Sequence, residues 1–199
     1  MDLILATRNE GKVSEFRHLL DGLDVNMTLL ADHPEVSEIE EDADSFLENA
    51  RKKAREVARI TGSWTLADDS GLVVDALGGA PGVHSARYAG KQSDYAANNE
   101  KLLREMADVP GGKRQARFVC TIVLISPEGD EWSVEGMCEG EIAREYKGSG
   151  GFGFDPLFHV PDLGKTMAEL SMDAKNEISH RGKALRKIRE ILIEILKKN

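Results

Sequence analysis

Apolar positions change period several times along the chain, and each change marks an element. Leu3, Ile4, Leu5 and Ala6 form a continuous apolar run, short enough for a strand buried on both faces. Asn9, Glu10 and Gly11 interrupt it, and Val13, Phe16, Leu19 and Leu20 then recur at helical spacing over Lys12–Leu20. Val25–Leu30 predicts a second strand. Ser45, followed three positions later by Glu48, has the spacing of a capping box. The helix it opens runs to about Ile60, with Phe46, Leu47, Ala50, Ala54, Val57 and Ala58 on its apolar face. Trp64–Ala67 predicts a strand that stops at Asp68-Asp69-Ser70-Gly71, and Leu72–Asp75 predicts a separate short one. Leu77–Gly90 is glycine-rich and reads as loop, after which Ser93 is placed to cap a helix to about Met106. Ala116–Ser126 is the strongest strand pattern, and Pro127–Asp130 turns it into Glu131–Cys138. A glycine loop follows at Gly148–Asp155. Ser179 then caps a last helix whose apolar face is Ala184, Leu185, Ile188, Ile191, Leu192, Ile195 and Leu196. Alternating strands and helices followed by a hairpin predict an α/β domain with a mixed sheet flanked by helices.

Composition narrows the class. A chain of 199 residues suits a single domain spanning 1–199. At 41% hydrophobic and 31% charged residues it is not disordered. No apolar run approaches the ~20 residues of a membrane span, and no basic stretch precedes a long apolar one at the N-terminus. The expectation is a soluble, cytoplasmic protein with no membrane partner. Two cysteines, Cys120 and Cys138, make no disulfide framework and read as core thiols. The formal net charge of −9 argues against a groove for long nucleic acids. That charge is uneven. Residues 35–50 hold seven acids and no Lys or Arg, whereas residues 165–199 carry nine Lys/Arg against five acids. An acidic cluster can hold a divalent cation and a basic one a phosphate, although both also suit solvated faces.

Five constellations carry candidate chemistry. Thr7, Arg8, Asn9 and Lys12 lie where a strand ends and a helix begins, a junction that offers backbone N–H groups and a helix dipole to an anion. The adjacent carboxylates Asp68 and Asp69, with Ser70 beside them, suit Mg²⁺, which takes a few carboxylates and leaves positions for water and phosphate. Within Glu38–Asp44 an acid could complete that metal site; the same acids also suit a helix N-terminus. Gly148, Gly150 and Gly153 satisfy GxGxxG, but Asp155-Pro156 does not lead into a helix as the dinucleotide fingerprint requires. The loop instead presents Phe152 and Phe154 for stacking on a planar base, or buries them in the core. Lys175, His180 and Arg181 cluster near a helix N-terminus, where cations are disfavoured unless an anionic or hydrogen-bond-accepting ligand meets them.

Seven segments together resemble the inosine triphosphate pyrophosphatase family: Thr7–Lys12, Phe46–Ala50, Ala67–Leu72, Gly78–Gly82, Ser85–Tyr88, Gly151–Pro156 and Ser179–Leu185. They occur in the family's order from Leu5 to Leu185. A related family of the same fold, acting on modified pyrimidine and methylated nucleotides, lacks the Ser179-His180-Arg181 segment. The resemblance implies an elongated, two-lobed mixed sheet around a central substrate cleft, and a homodimer. It implies Mg²⁺-dependent hydrolysis of non-standard purine nucleoside triphosphates (XTP, ITP, dITP) to the monophosphate and pyrophosphate, which clears them from the nucleotide pool. By the same resemblance Thr7, Arg8, Asn9 and Lys12 hold phosphates, Asp69 is the general base and a metal acid, and Ser70 contacts substrate. Phe152, Gly153, Phe154 and Asp155 frame the base, and Lys175, His180 and Arg181 read its edge. The second metal acid falls at Glu40, five residues before Ser45. Ala43 stands where the family often has Gly, which leaves Glu41 as an alternative.

Overall fold

A computed structural model describes residues 1–198. Its seven strands are β1 (Asp2–Leu5), β2 (Asn26–Leu29), β3 (Trp64–Val74), β4 (Gln115–Ile125), β5 (Glu131–Ile142), β6 (Phe158–Val160) and β7 (Lys165–Thr166). The helices are α1 (Glu10–Leu20), α2 (Phe46–Thr61), α3 (Tyr95–Glu105), α4 (Met172–Ile178) and α5 (His180–Leu196). The strands form one mixed sheet in the order β2-β1-β3-β4-β5-β6-β7. β1 runs parallel to β2 and β3, with Leu5 opposite Leu29 and Leu66, whereas β5-β6-β7 pair antiparallel. Among the described residues no helix is long and apolar enough to cross a membrane.

The chain divides into two compact units. The first comprises Met1–Asp69, Cys120–Gly136 and Arg181–Asn199; the second comprises Ser70–Val119 and Met137–His180. In the first, two apolar clusters form. One joins Leu3, Leu5, Phe16, Leu66 and Ile122 to Leu185, Ile188 and Leu192 of α5. The other joins Ile4, Val123 and Ile125 to Ala50, Ala54 and Val57 of α2. β1 therefore buries alternate residues into different clusters, which is why its sequence is apolar throughout rather than alternating. The second unit has one cluster, built on Leu72, Val74, Phe118, Ile142, Phe158 and Leu102.

Local chemistry sets the helix starts. Asn9 caps α1, its side-chain oxygen accepting from Lys12 N–H at 3.2 Å. Ser45 caps α2 by accepting from Glu48 N–H at 3.2 Å, and Gly62, at φ 63°, closes it with an N–H bond to Ala58 O. Three sequence expectations are corrected. β3 does not stop at Asp68: it continues unbroken to Val74, with Asp68 and Asp69 buried inside it. The Asp-Asp-Ser-Gly turn signal is overridden because the acids find cationic and amide partners there. Ser93 does not cap α3. Its φ of 58° is not an N-cap conformation, and Asp94 takes the role by accepting from Ala97 N–H at 3.1 Å. Before Ser179 lies α4, a helix that the apolar pattern does not announce because seven residues give barely two turns.

Candidate active site

The first unit buries a cluster of charges that would be prohibitive if unpaired. Asp68 is fully buried, and its Oδ2 meets Lys12 Nζ at 3.0 Å and Arg181 Nε at 3.4 Å. Arg181 Nη1 also pairs with Glu15 Oε2 at 2.5 Å. Lys53 rises from the buried face of α2 and donates to Glu41 Oε1 and to the backbone carbonyl of Asp68, both at 2.7 Å. Asn49, one turn earlier on the same face, donates to Asp69 Oδ2 at 3.0 Å. Counted together, Glu15, Glu41, Asp68 and Asp69 outnumber Lys12, Lys53 and Arg181 by one charge.

The two neighbouring aspartates differ sharply in electrostatics. Burial pushes the Asp68 carboxyl up, but the Lys12, Arg181 and Lys53 charges outweigh it and hold Asp68 well below the usual carboxylate range. Burial also pushes Asp69 up, aided by Glu41; the charges of Lys53 and Lys12 and the Asn49 hydrogen bond only partly offset it, so Asp69 stays above its ordinary value. Asp68 is thus a permanent anion, and Asp69 is the carboxylate with appetite for a proton. Burial lowers the Lys12 ammonium, Asp68 raises it, and the balance leaves it above its usual value and charged.

Thr7 is buried at the end of β1, where its Oγ1 accepts from Asn9 N–H at 3.2 Å; Arg8 is exposed. Glu40 is exposed as well. Glu41 is half-buried and pairs with Lys53, whereas Glu40, like Glu38, Asp42 and Asp44 of the same loop, faces solvent. Arg181 departs from its expected role. It is 2% exposed and engaged by Glu15 and Asp68, so its guanidinium serves the acid cluster rather than a base edge. A buried guanidinium needs acceptors for its donors, and here two carboxylates supply them.

The second unit gathers the remaining residues. Ser70 is half-buried in β3. In the glycine loop Asp155 Oδ2 accepts from Phe152 N–H at 2.9 Å and from Lys175 Nζ at 2.7 Å. Gly151, at φ 71°, is required here, because a Cβ would sit 2.0 Å from Asp155 Oδ2. The Lys175 ammonium lies 4.9 Å from the centre of the half-exposed Phe152 ring. Phe154 is corrected as a stacking candidate, since its ring is part of the apolar core with Tyr88 at its edge. Asn99 donates to Gly153 O at 2.8 Å and so holds the loop backbone. His180 is buried, its ring stacked on Phe118 at 4.7 Å.

The Ham1 family profile matches residues 3–191. A dITP/XTP pyrophosphatase of Desulforamulus reducens is 54% identical over 192 residues, 96% of each chain. One from Geobacter sulfurreducens is 52% identical over 190 residues, again 96% of each. The chain belongs to the Ham1 family. A solved structure of a HAM1 protein from Coxiella burnetii matches the fold with TM-score 0.89 at 42% identity, covering 98% of this chain and 99% of that one.

Sequence reasoning missed Glu15, Asn49 and Lys53 in this Ham1 chain. Asn49 and Lys53 carried a signal: both interrupt the face of α2 that otherwise reads Ala50, Ala54, Val57, and a polar residue on an apolar face needs a buried partner. Glu15, between Val13 and Phe16, carried a weaker form of the same signal.

Proposed function

We propose that this chain hydrolyses non-standard purine nucleoside triphosphates (XTP, ITP and dITP) to the monophosphate and pyrophosphate, as a Mg²⁺-dependent pyrophosphatase. The observation that carries this reading is the buried pair Asp68–Asp69, one held as a fixed anion and the other poised for a proton, beside Lys12 at the start of α1. The names of the relatives point the same way.

The donor set suits a hard cation. Asp69 and Glu40 supply carboxylate oxygens, and Asp68 Oδ1 is a buried oxygen without a hydrogen-bond partner. Among the described residues no three His, Cys, Asp or Glu side chains converge into a ready cage. Mg²⁺ does not need one, because it commonly binds through one or two carboxylates plus substrate phosphates. When bound, Mg²⁺ would neutralise developing phosphate charge. Thr7, Arg8, Asn9, Lys12 and the first N–H groups of α1 receive the triphosphate. Asp69 takes the proton from the attacking water, and Asp68 keeps Lys12 charged and in place. Ser70 contacts the substrate.

In the second unit, Phe152 offers a face for the purine. Lys175 and His180 donate toward a C6 oxygen, while Gly153, Phe154 and Asp155 shape the loop. Lysine has donors only, so adenine's amino group meets like with like. A site built on such bonds can reject the wrong edge by ~10⁴-fold. XTP and ITP should lead in kcat/KM, GTP should fall well below, and ATP should be last. A nucleotide panel with Mg²⁺, scored for pyrophosphate against orthophosphate release, tests this; orthophosphate plus diphosphate as first products would overturn it. The proposed assembly is a homodimer, and a monomer in sedimentation at micromolar concentration would refute that.

A further inference from the structure

We propose that Asn49 is a positioning residue that fastens the acid-bearing loop ahead of α2 to Asp69, and so holds Glu40 and Asp69 in one geometry for a divalent cation. The inference rests on the preceding reading of Glu40 and Asp69.

Asparagine is a poor helix former, and a fully buried one is costly unless its polar atoms are satisfied. Asn49 lies in the first turns of α2 with no exposed surface. Its carboxamide has two N–H donors and one acceptor oxygen. The oxygen accepts from Ala43 N–H at 2.9 Å. The nitrogen donates to Ala43 O at 3.3 Å and to Asp69 Oδ2 at 3.0 Å. One side chain thus grips both polar groups of a single loop residue and spends its other donor on the proposed base. Ala43 is three positions after Glu40, in a stretch with neither helix nor strand from His33 to Ser45. Without a backbone ladder, that stretch depends on anchors: Val36 buried in the apolar cluster, Glu41 on Lys53, and Ala43 on Asn49. Lys53 ties the loop to the Asp68 backbone carbonyl, and Asn49 ties it to the Asp69 carboxylate itself.

A loop clamp alone would not need a carboxylate partner, and the molecule contains such a clamp for comparison. Asn98 in the second unit is equally buried; it accepts from Ala89 N–H and donates to Ser85 O and Ala86 O, with no acid among these partners. Asn49 differs by ending on a carboxylate, the pattern in which a hydrogen-bond partner orients a metal ligand.

The test measures Mn²⁺ binding to the full chain without nucleotide, by calorimetry or electron paramagnetic resonance, alongside the Mg²⁺ concentration for half-maximal ITP hydrolysis. Loss of such a partner typically weakens metal affinity about 10–100-fold. Asn49→Ala should show that loss in Mn²⁺ affinity and a matching rise in Mg²⁺ requirement. Asn98→Ala should lower the melting temperature and leave Mn²⁺ affinity as in wild type. Unchanged Mn²⁺ affinity in Asn49→Ala would overturn the proposal. Asp69→Asn separates the two readings: if it binds Mn²⁺ like wild type, Asp69 is not a metal acid, and the site reading fails along with this one. If Asn49→Ala does not fold, the wild-type protein decides. Its Asn49 side-chain amide resonance should shift on addition of Mg²⁺ while that of Asn98 stays; an unmoved Asn49 signal at saturating Mg²⁺ overturns the proposal.

Discussion

The two units solve the problem of buried polarity differently. The first packs charge against charge: Asp68, Lys12, Arg181 and Glu15 form a chain of ion pairs, and Glu41 with Lys53 forms another. The second pairs Asp155 with Lys175 in its interior and surrounds the pair with rings and backbone clamps. Under the proposed function, the contrast fits two chemical tasks. A polyphosphate and its cation need fixed charge, which low dielectric makes strong and which must be balanced internally. A planar base needs a ring face and a few directed bonds, which rigid aromatic packing supplies at little electrostatic cost. Losses in the first unit should therefore fall on chemistry or on the charge balance of the fold, and losses in the second on substrate choice.

The largest expected effect is on Asp69. Replacing a general base costs about 10²–10⁴-fold in rate, so Asp69→Asn should lose at least that in kcat on ITP. Its stability should change with pH. A carboxyl whose folded pKa is raised contributes stability below its unfolded pKa and loses it as pH rises through the folded value. As pH rises wild type loses that contribution and Asp69→Asn does not, so the variant's melting temperature should gain on that of wild type with rising pH. A kcat near wild type at saturating Mg²⁺ would mean that the base lies elsewhere.

Arg181 comes next. Its removal takes a buried cation away from Glu15 and from Asp68, which keeps Lys12 at 3.0 Å, and breaking a buried pair costs about 3–5 kcal/mol. Arg181→Met should show that loss in chemical denaturation and should lower ITP and ATP turnover by similar factors. A selective loss on ITP would return Arg181 to the base edge and blur the division between the units.

Phe152→Ala probes the other side. Base–aromatic stacking is worth about 1–3 kcal/mol, so KM for ITP should rise roughly 5–150-fold while the Mg²⁺ requirement holds. A changed Mg²⁺ requirement would show that the two tasks are not separately housed.

The smallest effect is a pH dependence. Asp68 has a depressed folded pKa, so its stabilisation is full above the unfolded carboxylate pKa and is lost as pH falls through the folded one. Asp68→Asn should therefore be less stable than wild type at pH 7, with the gap closing in strong acid. A constant gap across pH would show that packing rather than charge dominates at this position.

The sequence by itself determined the α/β class, most strands and helices, and the segments where chemistry gathers. Those features are local: helix caps such as Asn9 and Ser45 bond three residues away, and burial on one face repeats at the period of the element. Tertiary structure alone decided that Asp68 and Asp69 sit inside a continuous strand, that Phe154 is core, and that Arg181 belongs with the acids. A turn signal of four residues cannot register a guanidinium 113 positions away, nor can a helical periodicity show that this same group reaches Glu15 across 166 positions. Burial of a charge is stable only with its partner present, and that partner is brought in by the path of the chain, which no window along the sequence contains.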